Sequence, residues 1–196
     1  NTTILINMKF KNIIIVITFF ISLNSEANTN ISHAIAMHGK PKYDQGFLNV
    51  EYIDIDALKG GSIVRSAVGT FDSFNPFILK GTSAAGVGAL YETLTTGSSD
   101  EAFTEYGLLA EKIEWPDDRS WVSYIIRDEA KWHDGREVTA DDVVWTFNTL
   151  MEKGHPFYKY YYGDVTEVYK ENEKKVRFNF KNNTNKELVL IVGQLP

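Results

Sequence analysis

Residues 121–147 read WVSYIIRDEAKWHDGREVTADDVVWTF, an order that predicts a strand, a tight turn and a capped helix. Every second residue from Val122 to Ile126 falls on one face of an alternating run that is rich in aromatic and β-branched side chains. That period favours a strand with at least one buried face. Asp134-Gly135 then predicts a turn, because glycine adopts positive φ angles without a steric penalty.

A helix is expected to begin shortly after this turn. Thr139 offers its hydroxyl as the N-cap, and Asp142, three residues later, completes a variant of the capping box. Asp141 and Asp142 also lie where the helix dipole is positive. Apolar residues follow at helical spacing and form one stripe, namely Val143, Val144, Phe147, Leu150 and Met151. We therefore interpret the two aspartates as helix caps rather than as acid–base groups or metal ligands.

His133 next to Asp134 is the other candidate for chemistry in this block, either as a catalytic dyad or as a metal site. No second histidine or carboxylate recurs at ligand spacing, such as the i, i+4 pair of a zinc-binding helix. The sequence also contains no GxSxG or HExxH motif of hydrolases and no GxxxxGK[ST] or GxGxxG motif of nucleotide-binding proteins. We therefore expect no catalytic residue, no metal site and no cofactor.

The block resembles the motif of the family 5 solute-binding proteins, which are the peptide-binding receptors of ABC importers. The residues that carry the resemblance are Arg127 at the end of the strand, Ala130-Lys131-Trp132, Asp134-Gly135, Thr139-Ala140-Asp141-Asp142-Val143 and Trp145-Thr146-Phe147. The resemblance implies that this block is structural and belongs to the smaller subdomain of the first lobe. It therefore identifies the family through residues that are not expected to touch a ligand.

Motifs in the first half of the chain narrow the resemblance to the Yej-type branch, which is associated with the uptake of oligopeptides and microcin C. These motifs are His33-Ala34-Ile35, His38-Gly39, Pro41-Lys42-Tyr43, Lys59-Gly60-Gly61-Ser62 and the run from Gly69 to Phe77. The similarity covers most of residues 33–196. It implies an α/β fold that is part of the first lobe of a two-lobed, type II periplasmic-binding-protein fold with the extra subdomain of family 5.

The resemblance also implies a division of the chain. Residues 1–27 comprise upstream residues and a signal peptide, residues 28–97 begin lobe I, and residues 98–196 form the smaller subdomain of lobe I in truncated form. Leu188–Val192 is a continuous apolar run close to the end of the chain, and family relatives are much longer. We therefore expect an N-terminal fragment in which the second lobe is absent and this apolar run lacks part of its partner surface.

The beginning of the chain has the pattern of an export signal. Met8 is followed by the positive residues Lys9 and Lys11 and by the apolar run Ile13–Leu23, which is shorter than the roughly 20 residues that a bilayer span needs. We expect cleavage after Ala27, and a membrane anchor is the alternative. Because the chain contains no cysteine, we expect no disulfide and no lipid tether, and a mature protein that lies free in the periplasm.

The part of the chain after the signal is acidic. Cleavage after Ala27 removes two lysines and one glutamate, which leaves 18 basic and 25 acidic residues and a net charge of −7. Nucleic acids bind to basic surfaces, and this balance therefore argues against a nucleic-acid partner.

Patterns outside the block predict four further elements. Ile63–Val68 has the composition of a strand, and Ala84–Leu94 has that of a helix whose small residues would permit close packing. The alternating run Val176–Phe180 predicts a half-buried strand. Its expected partner is Val165–Tyr169, which would complete a hairpin across Glu171–Lys174.

The resemblance assigns the ligand site to two segments. Lys80-Gly81-Thr82-Ser83 correspond to a ligand-facing loop of oligopeptide-binding relatives, and Phe157 with neighbouring Tyr158 correspond to an aromatic position near the cleft. Extended peptides are held by strand-like backbone hydrogen bonds, with pockets for their side chains. The alternatives are a plain surface connection for the loop and core packing for the aromatic residues.

Together these features predict a periplasmic solute-binding protein, not an enzyme, that delivers oligopeptides to an ABC permease and ATPase complex. We expect a monomer that closes two lobes about a hinge and that has no stable membrane insertion after signal cleavage. A receptor of the same fold for a sugar, nickel or haem is the alternative within the binding class. A secreted hydrolase that uses paired carboxylates is the alternative from another class.

Overall fold

Two antiparallel sheets and three α-helices build the part of the protein that the computed structural model describes, which is residues 28–77 and 79–196. The strands are β1 (Thr29–Ser32), β2 (Ala34–Ala36), β3 (Thr95–Ser98), β4 (Glu101–Gly107), β5 (Ala110–Pro116), β6 (Trp121–Ile126), β7 (Val165–Asn172) and β8 (Lys175–Phe180). The helices are α1 (Ala140–Lys153), α2 (Pro156–Tyr161) and α3 (Leu188–Ile191), with 3-10 helices at Val87–Leu90 and Val192–Gln194. The export signal predicted within residues 1–27 lies outside the described residues.

The larger sheet has the strand order β1-β5-β6-β8-β7, with β6 at its centre. β6 is the strand that the alternating run predicts, and it pairs antiparallel with both β5 and β8. Val122 and Tyr124 are completely buried and Ile126 is 2% exposed, which confirms the predicted buried face. Phe178 and Val176 of β8 lie opposite Val122 and Tyr124 and are buried with them.

The turn and the capped helix after β6 form as predicted. Gly135 has a φ of 86° and donates its N–H to the Trp132 carbonyl oxygen at 2.9 Å. Thr139 and Asp142 form the capping box, since the Thr139 N–H donates to Asp142 Oδ2 at 2.8 Å and the Asp142 N–H donates to Thr139 Oγ1 at 3.4 Å. The helix α1 that begins there packs its apolar stripe against β7 and β8.

Arg127, directly after β6, is hydrogen-bonded to the turn between β4 and β5. Its guanidinium donates to the carbonyl oxygens of Gly107 at 3.1 Å and Ala110 at 3.3 Å, and its Nε donates to the carbonyl oxygen of Leu108. β4 belongs to the smaller sheet, whose order is β2-β4-β3, whereas β5 belongs to the larger one. The arginine at the end of the strand therefore joins the two sheets and is structural.

The apolar run near the end of the chain is buried within the described fold. Leu188, Val189 and Val192 have no exposed surface, and Leu190 is 4% exposed. The Tyr124 hydroxyl, at the centre of the larger sheet, donates to the Val189 carbonyl oxygen at 3.0 Å. The expectation that this run lacks part of its partner surface is therefore wrong, because Tyr124 of the larger sheet and strands β3 and β4 of the smaller sheet contact it.

Two elements predicted between residues 60 and 94 do not form. Residues 63–68 run as an irregular, exposed segment, and Ala84–Leu94 contains only the 3-10 helix Val87–Leu90. A strand needs a neighbour for its N–H and C=O groups, and no strand in the described ranges pairs with residues 63–68. In the predicted helix, Gly86 has a φ of 83°, and such glycines disfavour an α-helix.

Two further expectations for the fold hold. The predicted hairpin is confirmed as β7 and β8, and the mixed sheet-and-helix class is confirmed with strands that pair antiparallel throughout the described residues. Among the helices in the described ranges, none combines the length and the apolar character that a membrane span requires.

Candidate functional site

The predicted ligand-facing loop Lys80–Ser83 is closed onto the chain at Asp72 and Ser73. The N–H groups of Asp72 and Ser73 both donate to the Thr82 carbonyl oxygen, at 3.0 and 3.2 Å. The Ala84 N–H donates to the Ser73 carbonyl oxygen at 2.8 Å, which completes a short parallel bridge. Thr82 and Ala84, at the end of the loop, are therefore both hydrogen-bonded to the segment Asp72–Ser73.

The side chain of Asp72 adds a fourth hydrogen bond to this closure. Its Oδ1 accepts the Thr82 N–H at 2.7 Å. Gly81 has a φ of 96°, a conformation that favours glycine, and a methyl group added there would lie 2.6 Å from Asp72 Oδ1. The carboxylate and the glycine backbone therefore fit closely against each other.

The parallel bridge also determines which way the peptide groups of Ser83 face. The bonds from the Asp72–Ser73 side reach Thr82 and Ala84, which are the residues before and after Ser83. In a strand, peptide groups alternate between the two edges. The N–H and C=O of Ser83 therefore face the opposite edge, where Ser83 is exposed.

The second predicted segment, Phe157 and Tyr158, lies in the first turn of α2. Pro156 occupies the first helical position, and His155 Nδ1 accepts the Phe157 N–H at 3.1 Å. Phe157 is 51% exposed, and its ring stacks on Tyr161 with centroids 5.1 Å apart. Tyr158 is half-buried against the main core, and this burial raises its pKa. Phe157 thus offers an exposed aromatic surface, whereas Tyr158 packs inward.

A groove that the sequence did not predict lies beside these aromatic residues. It has a volume of about 360 Å³ and is bordered by Tyr160 and Tyr161 on one side and by Asn185 and Glu187 on the other. Tyr160 is 89% exposed. The tyrosine-rich run before Gly163 was a signal for one side of this groove. No motif linked it to residues 185 and 187, which are brought close only by folding.

The structure does not join the two predicted segments directly. Among the described residues, no hydrogen bond, ion pair or ring contact connects Lys80–Ser83 with Phe157 or Tyr158. Tyr158 packs on the main core, and so does Phe77, which lies three residues before Lys80. Each segment is therefore a separate candidate contact for a ligand.

The paired aspartates of the block, Asp141 and Asp142, both have structural partners. Asp142 caps α1, and Asp141 forms an ion pair with Lys170 of β7. His133 is exposed. Within the described residues, no three histidine, aspartate or glutamate side chains gather into a group that could hold a metal ion.

Glu105 is a buried carboxyl group between the smaller sheet and the C-terminal 3-10 helix. It is 5% exposed, and its Oε1 accepts from Gln194 Nε2 at 2.7 Å. Its Oε2 and the Thr95 hydroxyl are both buried without a hydrogen-bond partner among the described residues. Burial raises the pKa of Glu105 above its usual value. This group is internal and is not placed to meet a ligand from solvent.

Residues 104–196 match the sequence profile of the bacterial extracellular solute-binding proteins, family 5 (middle part). The peptidoglycan-binding protein YepA of Agrobacterium fabrum is 46% identical over 82% of this chain and 28% of its own length. From the same organism, the protein named "Probable peptide-binding protein YejA" is 38% identical over 82% of this chain and 26% of its own length. The chain thus spans about a quarter of the length of these curated relatives.

Among solved structures, NikZ from Campylobacter jejuni in complex with Ni(L-His) aligns with 63% of this chain and 25% of its own chain, at a TM-score of 0.48 and 23% identity. The strand, turn and capped helix of residues 121–147 lie inside the range that the family profile matches. The chain belongs to the bacterial extracellular solute-binding proteins, family 5.

Proposed function

We propose that the full-length protein, which is the natural protein that contains this chain, is a periplasmic receptor for oligopeptides. It binds a peptide between two lobes, closes about a hinge and delivers the peptide to an ABC permease and ATPase complex. It acts through binding and catalyses no reaction. Residues 28–97 and 98–196 contribute two parts of lobe I, and the signal within residues 1–27 directs export.

The exposed edge at Ser83 is the observation that carries this proposal. Its N–H and C=O face away from the closure with Asp72 and Ser73, as the bonds to Thr82 and Ala84 require. A peptide main chain can add to such an edge by strand-like hydrogen bonds that are independent of its side chains. This mode of binding suits a receptor that accepts peptides of varied sequence.

Phe157 supports the proposal as a second contact. Its exposed ring is held in a fixed orientation by the stack with Tyr161 and by the His155 cap. A fixed aromatic ring buries a large apolar area against a peptide side chain at a small cost in conformational entropy. We propose Lys80, Gly81, Thr82 and Ser83 as the loop contact and Phe157, with Tyr158 behind it, as the aromatic contact.

The names of the relatives support peptide as the ligand class. One relative is named for peptide binding and the other for peptidoglycan binding. Peptidoglycan consists of sugar chains that carry short peptides, and peptide is therefore the chemistry that the two names share. Peptidoglycan fragments differ from free oligopeptides in that they also carry sugar.

Isothermal titration calorimetry of the purified full-length protein tests the proposal. The probes are linear alanine peptides of increasing length and a muropeptide that carries sugar as well as peptide. We expect saturable binding of at least one linear peptide. Binding of the muropeptide alone would replace free oligopeptides with cell-wall fragments as the ligand, and the absence of binding to either probe contradicts the proposal.

Two substitutions at Ser83 test the proposed edge. Ser83→Ala keeps the N–H and C=O groups and should bind peptide like the wild type. Ser83→Pro removes the N–H and should weaken binding by about tenfold, which is the effect of losing roughly 1.4 kcal/mol. Equal affinities of the two variants would contradict main-chain pairing at this position.

A further inference from the structure

Asp72 contacts Thr82 with both its main chain and its side chain. The Asp72 N–H donates to the Thr82 carbonyl oxygen at 3.0 Å, and Asp72 Oδ1 accepts the Thr82 N–H at 2.7 Å. A hydrogen-bonded pair of residues in an antiparallel ladder exchanges the same two kinds of bond. The carboxylate of Asp72 therefore accepts the bond that a main-chain carbonyl group accepts in a sheet. As a result, both the N–H and the C=O of Thr82 are hydrogen-bonded to Asp72.

The chain around this loop offers little other support. In the described part of residues 44–92, Val87 is the one buried residue and the 3-10 helix Val87–Leu90 is the one regular element. Segments with few buried contacts open locally at a low free-energy cost. Among the described residues, Asp72 supplies the side-chain hydrogen bond that reaches the loop, and this bond adds an acceptor to the three main-chain bonds that close it.

Gly81 shows how closely the same carboxylate packs against the loop. A methyl group at this position would lie 2.6 Å from Asp72 Oδ1, which is closer than real contacts allow. The carboxylate therefore lies directly against the backbone of the loop. An aspartate whose only role was to keep this surface soluble would not need to pack against the loop backbone.

We infer that Asp72 is a positioning residue for peptide binding: its carboxylate holds Thr82 so that the exposed edge of Ser83 is presented to the main chain of the ligand. The inference rests on the proposed function. If a loop adopts the binding conformation for only a fraction of the time, its apparent affinity for the ligand is the intrinsic affinity multiplied by that fraction. The bond from Asp72 raises this fraction before the ligand arrives, which is the benefit of preorganisation.

The competing role for Asp72 is a direct charge contact with the amino terminus of a peptide. Two substitutions in the full-length protein separate the roles, because Asp72→Asn keeps an Oδ1 acceptor without the charge and Asp72→Ala removes both. With a linear alanine peptide as the probe, we expect Asp72→Ala to bind about tenfold more weakly and Asp72→Asn to stay within about twofold of the wild type.

Asp54→Ala is the matched control for these substitutions. Asp54 also lies in the exposed segment, and its Oδ1 accepts the Asp56 N–H at 3.0 Å in a similar local turn. Its loss should leave peptide affinity unchanged. An equal loss of affinity in Asp72→Asn and Asp72→Ala would overturn the inference by assigning a charge contact, and unchanged affinity in both would overturn it as well.

Hydrogen exchange at the Thr82 amide tests the inference without any ligand. We expect slow exchange in the wild type and in Asp72→Asn, and faster exchange in Asp72→Ala. Wild-type exchange in Asp72→Ala would overturn the role of the carboxylate whatever the ligand is. If the wild type binds no alanine peptide while Thr82 responds as expected, then the proposed function fails and the carboxylate is shown to hold the loop.

Discussion

The hydroxyl of Tyr124 donates a hydrogen bond to the carbonyl oxygen of Val189 at 3.0 Å, and both residues are completely buried. Tyr124 lies at the centre of the larger sheet, whereas Val189 lies in α3, 65 residues later in the chain. Burial holds the pKa of Tyr124 well above its usual value, and the hydroxyl therefore remains protonated and able to donate at physiological pH. This bond ties the end of the described chain to its central strand.

Tyr124→Phe should destabilise the folded protein by about 1 to 3 kcal/mol, because the Val189 carbonyl group would remain buried without its donor. Urea unfolding of the full-length protein measures the change in the free energy of unfolding. Tyr160→Phe is the control, since Tyr160 is 89% exposed and loses no buried partner. A similar effect in both variants would contradict a specific role for the Tyr124 bond.

Thr139→Ala should cost about 1 kcal/mol of stability, because the N–H of Asp142 loses the hydroxyl that caps α1. Thr139→Ser keeps a hydroxyl in the same place and should restore most of this loss. The midpoint of urea unfolding in the two variants checks the prediction. Equal destabilisation by alanine and serine would show that the methyl group of Thr139, not its hydroxyl, supports the helix.

Much of the block 121–147 could be predicted because its signals are local. The alternation from Val122 to Ile126 and the capping box of Thr139 with Asp142 depend on residues within four positions of each other. The burial of Leu188–Val192 could not be predicted in this way. An apolar run has the same sequence whether the residues that bury it are near or distant in the chain. The hydrogen bond from Tyr124 shows that this run contacts the larger sheet.

The predicted strand at residues 63–68 failed for a related reason. Its composition favours an extended chain, but a strand also needs a paired neighbour, and none of the described strands pairs with it. The candidate loop at Lys80–Ser83 came from the family resemblance. Its link to Asp72 could not be predicted, because a side-chain bond across ten residues leaves no periodic pattern in the sequence.

Glu105→Gln should stabilise the protein at neutral pH and reduce the dependence of its stability on pH. Because burial raises the pKa of Glu105 above its usual 4.5, the folded protein holds this proton more tightly than the unfolded chain does. The resulting stabilisation is fully present below the unfolded pKa and is lost as the pH rises through the folded pKa. Glutamine keeps an acceptor for Gln194 and has no proton to lose.

Urea unfolding of wild type and Glu105→Gln at several pH values between about 4 and 7 checks this sign. The groups that face the carboxyl are Gln194, the Thr95 hydroxyl and Tyr124, which stays protonated in this range. The difference between the two proteins therefore reports on Glu105 itself. A difference that does not grow with pH would show that folding does not raise the pKa of Glu105.

Gly81→Ala should weaken peptide binding by about tenfold, because the added methyl group would displace the Asp72 carboxylate from Thr82. Gly86→Ala is a closely matched control. Gly86 also has a positive φ, of 83°, but a methyl group there meets no atom within 4 Å. Both variants carry the backbone strain of a left-handed alanine, about 1 kcal/mol, and only Gly81→Ala adds the clash. Calorimetry with an alanine peptide should therefore separate them, and equal affinities would contradict a tight fit at Gly81.

Phe157→Ala should reduce the affinity of the full-length protein for a peptide with large apolar side chains, because it removes an exposed ring that stacks on Tyr161. A loss of about tenfold is expected for one aromatic contact of moderate size. Trp145→Ala is the control, since Trp145 is 69% exposed on α1 and lies outside both candidate segments. Calorimetry of the two variants decides the assignment: unchanged affinity in Phe157→Ala, or an equal loss in Trp145→Ala, would remove Phe157 from the ligand site and leave the Ser83 edge as the contact that this part of the chain provides.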